Sequence, residues 1–162
     1  LLIHLGNYFR TNLQQDIEVV DLYKEIEHIN SYIEIEKARF GDKLDIIYDI
    51  PENIECKLPP LLLQPIVENA IKHGVLGKIE GGRVEIIARD NGRETKLVVK
   101  DDGVGISKED LECLFKENDN KESIGLKNVN ERLRNKYGKE YGLILESEIN
   151  KGTTATMVIP KF

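Results

Sequence analysis

The chain has 162 residues, enough for one domain with a real core plus an appendage. With 40% hydrophobic and 32% charged residues it is neither collagen-like nor disordered, and no run approaches the roughly 18 apolar residues of a membrane span. A net charge of −6, with Lys and Arg scattered, argues against duplex nucleic acid as a partner and leaves a single anionic nucleotide open.

Leu1, Leu2, Leu5, Tyr8, Phe9 and Leu13 recur at spacings of three and four, one stripe of an amphipathic helix. The pattern opens with neither an initiator Met nor a helix start signal, so a piece of a longer protein is expected. After the polar break at Gln14 to Asp16, Asp21 is placed to cap a second helix whose apolar face is Leu22, Ile26, Ile29, Tyr32 and Ile33, and Gly41 stops it. His4 is expected beside a helix seam and His28 on an exposed helical face. Alternation of Leu44, Ile46, Tyr48 and Ile50 predicts a half-buried strand over 43–50, ended by Pro51.

Pro59-Pro60 opens a predicted helix running to His73, with Gly74 where a left-handed C-cap would close it and Pro65 expected to bend it. Residues 83–90 and 95–101 are rich in β-branched side chains and flank Asn91-Gly92, a strong hairpin signal. The polar stretch from Gly103 to Ile124, with a short helix around 108–115, is expected to be a mobile lid. A helix follows over 125–137, then a closing strand pair over 143–149 and 154–159. The fold class is therefore α+β: a two-layer sandwich of a mixed, mostly antiparallel sheet of about five strands with helices on one face, preceded by a helical stub. Cys56 and Cys113 lack metal-ligand spacing and follow no secretory signal, so they read as reduced cytosolic thiols.

Four features point to chemistry. On the helix ending at His73, Asn69, Lys72 and His73 fall within roughly 100° of one another, a polar stripe opposite an expected buried side of Leu61, Leu62, Ile66, Val67, Ala70 and Ile71. Asp101-Asp102-Gly103-Val104-Gly105 follows a strand directly, so a flat ligand can approach the backbone while the carboxylate accepts from an exocyclic amino group. Ser123-Ile124-Gly125-Leu126 begins a helix, where free N–H groups can meet phosphates. Gly152-Thr153-Thr154 opens the last strand with a hydroxyl in reach of a base. Each alone reads as ordinary surface, turn or packing. No Gly-x-Gly-x-x-Gly fingerprint or Walker loop is present.

In this order the features resemble the Bergerat-type ATP-binding domain of the gyrase, heat-shock chaperone, histidine kinase and MutL superfamily, and within it the LytS-like sensor histidine kinases. The segments that carry the resemblance are Tyr32 to Gly41, Pro59 to Pro65, Val67 to Gly74 and the terminal Ile159-Pro160. The resemblance implies ATP and Mg²⁺ as cofactors. Asn69 would hold the metal and, with Lys72 and His73, form the catalytic set at the phosphates. Asp101 would bind the adenine amino group, and Gly103, Gly105, Gly125, Leu126 and Thr153 would shape pocket and lid.

It also implies transfer of the γ-phosphate to a histidine in an upstream Pro-His-Phe-type segment, relay to a response regulator, a homodimer, and a cytoplasmic domain of a membrane-anchored sensor. None of His4, His28 or His73 sits in such a segment. Residues 1–40 would then be the remnant of the dimerisation region and 41–162 the catalytic domain. Two departures stand out: Ser123 replaces the first glycine of the second glycine box, and Pro65 occupies the place of the water-activating glutamate of gyrase-like members. The rivals are a gyrase- or MutL-like ATPase, an anti-sigma serine kinase, and a nucleotide-sensing module without catalysis.

Overall fold

The computed structural model describes residues 18–114 and 124–161. Expectations for His4, the first helical stripe, the lid between 115 and 123, and Ser123 lie outside the described residues.

A short β1 (Val20–Asp21) leads into α1 (Leu22–Phe40), followed by β2 (Leu44–Asp49) and β3 (Lys57–Leu58). Helix α2 (Gln64–Asn69) runs on through a π-helical turn (Ala70–Gly74) and a 3-10 turn (Val75–Gly77). Then come β4 (Gly82–Asp90), β5 (Glu94–Asp101), α3 (Lys108–Cys113), α4 (Ile124–Tyr137), β6 (Ile144–Glu148) and β7 (Gly152–Pro160). The main sheet has five strands in the order β2-β4-β5-β7-β6, with β2 parallel to β4 and every other pair antiparallel. Strands β1 and β3 form a separate two-stranded ribbon.

Period-two alternation buries one face of the sheet: Val84, Ile86 and Ala88 on β4, Leu97 and Val99 on β5, Ala155, Met157 and Ile159 on β7. Helices close over that face with Leu22, Ile29 and Ile33 of α1, Ile66 and Val67 of α2, and Leu126, Val129 and Leu133 of α4, all in one buried cluster. The predicted two-layer α+β architecture and its mixed, mostly antiparallel sheet are what is found. The β4–β5 turn takes Gly92 at φ 86, as its Asn-Gly pair foretells, and Gly41 ends α1 at φ 62.

Four local expectations are corrected. The helix begins at Gln64, not Pro60, because Leu61 adopts φ 56, which no right-handed helix accommodates. Pro65 consequently falls in the first turn, where its missing N–H is not needed, rather than in the helix interior where it would remove an internal hydrogen bond. Gly74 stands at φ −85 and is no left-handed cap; the chain continues into another turn. His28 is only 4% exposed, because α1 is covered along a broad stripe that also buries Glu25, Ser31 and Glu36. That burial lowers the pKa of His28, against a hydrogen bond with Gln64 and the charge of Glu68. Asp21 does hold the extended N-cap position of α1, yet its side chain makes no capping hydrogen bond.

Candidate functional site

The end of β5 meets the start of β7, and there backbone packs on backbone. A Cβ on Gly103 would lie 2.1 Å from the carbonyl carbon of Gly74, and one on Gly74 would lie 2.6 Å from Asp101 Oδ1. Only glycines let the turn after β5 lie against the end of the α2 segment, where the Val104 N–H donates to Gly74 O at 3.2 Å. Gly105, at φ 69, packs equally closely on Glu148 O, and the Asn150 N–H ties that loop to Val104 O at 2.7 Å.

Asp101 is 4% exposed at this junction. Its Oδ1 accepts from the N–H groups of Gly103 at 2.9 Å and Thr153 at 3.3 Å. No described group donates to Oδ2. Burial pushes the carboxyl pKa up to about 6 against those two hydrogen bonds, and the charge of Asp102 adds to the rise.

Asp101 and Thr153 open onto a narrow inner slot walled by Ile66, Ala70, Val99, Ile106, Leu145 and Ala155, with Asn69 and Leu126 at its mouth. Apolar walls with one carboxylate and one hydroxyl have the chemistry to take a flat heteroaromatic base, but the slot, about 10 Å³ in volume, must widen to admit one. The Thr153 hydroxyl lies 2.8 Å from Ser147 Oγ, which itself takes the Ile106 N–H and bonds Gly152 O at 3.0 Å. With Ser147 donating to Gly152 O, Thr153 donates to Ser147 and keeps its lone pairs for a ligand.

An outer groove between α2 and α4 adjoins the slot, lined by Pro65, Glu68, Lys72, His73 and Gly125 and sharing Asn69 and Leu126 with it. Lys72 Nζ rests 3.4 Å from Glu68 Oε2 and 5.7 Å from the ring centroid of Tyr32. His73 is exposed at the rim. Gly125 lies in the first turn of α4, whose first N–H groups have no intrahelical partner, and it lines this groove with Leu126. The structure thus brings Asn69, Asp101, Leu126 and Thr153 together at the slot, with Gly103 and Gly105 shaping its backbone, and Lys72, His73 and Gly125 together at the groove.

Sequence reasoning missed Glu68 and Ser147, and it named Gly152 only as the start of the last strand. Glu68 accepts from Gln64 Nε2 at 2.5 Å and lines the groove; its i, i+4 relation to Lys72 was a usable signal. Ser147 occupies the inward register of β6 with Leu145, a small polar residue where an apolar one is usual. Gly152, at φ 106, passes so close to Asp101 O that a Cβ would stand 1.9 Å away. Among the described residues no cluster of three or more His, Cys, Asp or Glu could hold a metal, and no helix is long and apolar enough to cross a membrane.

The mixed sheet carries a buried carboxylate at the end of β5 with an asparagine-bearing helix beside it, and comparison with known proteins gives the family. The chain belongs to the histidine kinase-, DNA gyrase B- and HSP90-like ATPase family, whose model matches residues 59–162. A second family model, histidine kinase, matches residues 1–44. Over 99% of its length the chain is 38% identical to the sensor histidine kinase BtsS of Escherichia coli and 40% identical to the sensor protein LytS of Bacillus anthracis. It spans only 27% and 28% of those two proteins. The catalytic domain of histidine kinase ThkA shares the fold, with a TM-score of 0.69 at 18% identity over 91% of this chain and 98% of that one. Membership in this family carries ATP binding with it.

Proposed function

We propose that the chain is the ATP-binding catalytic part of a two-component sensor histidine kinase and transfers the γ-phosphate of ATP to a histidine on a helical segment of the longer protein. The observation that carries this reading is the meeting of the slot and the groove at Asn69: base chemistry on one side, phosphate chemistry on the other. Residues 1–40 would continue the dimerisation region and 41–162 form the catalytic domain, with a response regulator receiving the phosphate. The solved complex of histidine kinase ThkA with response regulator protein TrrA, of similar fold at 18% identity, is in keeping with such a partner. Membrane anchoring of the longer protein, a homodimeric state and a cytoplasmic position for this part belong to the same proposal.

Phosphoryl transfer needs alignment and charge neutralisation more than covalent help from the protein. Asp101 Oδ2 would accept from the adenine amino group and set the depth of the base, with Gly103, Gly105 and Thr153 shaping its bed. Asn69, with Glu68 beside it, offers oxygen donors of the type magnesium takes, and such an ion commonly keeps much of its coordination for phosphates and water. When bound, that ion would neutralise charge on the phosphate oxygens. Lys72 would leave Glu68 to reach the phosphates, His73 and the N–H groups at Gly125 and Leu126 would complete the cradle, and Pro65 supplies no base to activate water. His28, 4% exposed, is too buried to be the acceptor.

Calorimetry with Mg·ATP is expected to show binding by the parent chain and strong loss in Asn69→Ala. Radiolabelled ATP should label an added helical segment bearing a Pro-His-Phe-type histidine, giving an acid-labile phosphoramidate, while the chain alone stays unlabelled. Rapid ATP hydrolysis with no acceptor present would favour the gyrase-like rival instead.

A further inference from the structure

Glu25 stands in the first turn of α1 and is only 2% exposed. It is far from both slot and groove in sequence, and it lines neither. Its Oε1 accepts the Leu61 N–H at 2.5 Å, and its Oε2 accepts those of Leu62 and Leu63 at 3.1 Å each. These three successive amides lead into α2. From α4, Arg132 donates Nη1 to Leu61 O at 3.2 Å and Nη2 to Pro60 O at 2.8 Å. The peptide groups of Leu61 are thus gripped on the N–H side by an acid of α1 and on the C=O side by a guanidinium of α4.

Leu61 is itself strained. Its φ of 56 is one of two positive values among the described non-glycine residues, the other being Asn150. Asparagine tolerates this region through its short polar side chain; leucine has no such support. Burial raises the pKa of Glu25, opposed by the three amides and by Arg132. A glycine and a local Ser or Asp cap would turn the chain here without a buried carboxylate or a left-handed leucine. Strain of this kind persists only where surrounding contacts over-determine it.

We propose that Glu25, Leu61 and Arg132 form a positioning clamp that sets how α2 and α4 face each other across the nucleotide groove and makes that spacing depend on the seating of α1. Glu25 and Arg132 are positioning residues: neither touches the nucleotide. When α1 shifts, Glu25 leaves the amides, Leu61 relaxes out of its left-handed conformation, and Arg132 loses the carbonyls that hold α4 to the start of α2. Asn69 on α2 and Lys72 on the π-helical turn that continues it then part from Gly125 and Leu126 on α4. By reciprocity, nucleotide held between the two helices favours the gripped state. The proposal rests on α2 and α4 being the walls of the nucleotide site.

Titration calorimetry of the whole 162-residue chain with Mg·ATP tests it. Glu25→Gln and Arg132→Met are each expected to weaken binding by about tenfold, within the usual range for coupled sites. The double variant should lose about as much as either single one, because both release the same peptide. Leu61→Gly in the Glu25→Gln background should recover part of the loss, since glycine holds the left-handed conformation without the clamp. A purely structural role would lower the melting temperature and leave the affinity of the folded protein alone. If Glu25→Gln does not fold, Arg132→Met with and without Leu61→Gly decides the matter in the same way. Affinities within twofold of the parent, or losses that multiply with no rescue by glycine, overturn the clamp. Asn69→Ala separates the two levels: loss there with none in the clamp variants removes the clamp alone, whereas an Asn69→Ala variant that binds like the parent, or a parent that does not bind, removes the nucleotide-site reading and the clamp with it.

Discussion

The inner slot and the outer groove share Asn69 and Leu126 yet are held by opposite means. Around the slot, backbone lies on backbone at distances that leave no room for a Cβ at Gly103 or Gly152, and Asp101 is pinned by two amides. Around the groove Lys72 and His73 are open to solvent: Lys72 is 49% exposed and bonded to the less exposed Glu68 by a pair worth at most about 0.5 kcal/mol. The polar groups of the slot are fixed in place, but its free volume of about 10 Å³ means that its walls must part before a base could enter. On the proposed function, the phosphates would be handled by side chains that can exchange partners cheaply, which suits release of a product.

The contrast is broken most severely at Gly103. Gly103→Ala is expected to cost more than about 3 kcal/mol, because the obstacle is the Gly74 backbone, which cannot rotate away. Gly92→Ala is the control. Its φ is 86 but nothing lies within 4 Å, so conformation alone should cost about 1 kcal/mol. Urea unfolding of both variants checks this, and equal losses would mean that close packing at Gly103 does not hold the slot together.

The same contrast explains what could be read in advance. Period-two burial in β4, β5 and β7 and the Asn91-Gly92 turn were legible because they rest on local pattern, and Asp101 and Asn69 because strand ends and helix stripes position them. The left-handed Leu61 was not: nothing local favours it, and its partners Glu25 and Arg132 lie 36 and 71 residues away. Gly74 looked like a helix stop from its neighbours alone, whereas its absent Cβ answers to Asp101, which only the folded chain brings near. His28 was misplaced because a helix covered on a broad stripe buries positions that a narrow apolar face leaves out.

Asp101 sharpens the contrast by pH. Its folded pKa of about 6 lies above the ordinary 3.8, so the stabilising contribution of the protonated group is full below about pH 4 and is lost as pH rises through 6. At pH 8 the buried charge costs on the order of 2–3 kcal/mol. Asp101→Asn keeps an oxygen for the Gly103 and Thr153 amides and sheds that cost. The variant should be the more stable at pH 8, with the difference shrinking toward pH 4. For ATP the sign reverses, because the ionised carboxylate is the better acceptor for an amino group. Parent affinity should fall as pH drops below about 6, by up to tenfold per unit, while the variant binds more weakly and without that slope. Calorimetry at several pH values would refute the role of Asp101 if parent and variant ran parallel.

The smallest effect is expected at Gly125, where stability and binding should move in opposite directions. A Cβ there would meet only Pro65 Cβ, at 3.6 Å, an ordinary contact, and no positive φ demands glycine. Alanine is the better helix former, so Gly125→Ala should stabilise the chain by roughly 0.5 kcal/mol, less than the full interior difference because the site is in the first turn. The added methyl would project into the groove opposite Pro65, beside the N–H groups that would meet phosphates, and close approach of a ligand to backbone is what glycine permits. Mg·ATP affinity should therefore drop a few-fold while the melting temperature rises. A gain in stability with unchanged affinity would make Gly125 merely a poor start to α4 and would leave Asn69, Lys72 and His73 to hold the phosphates without it.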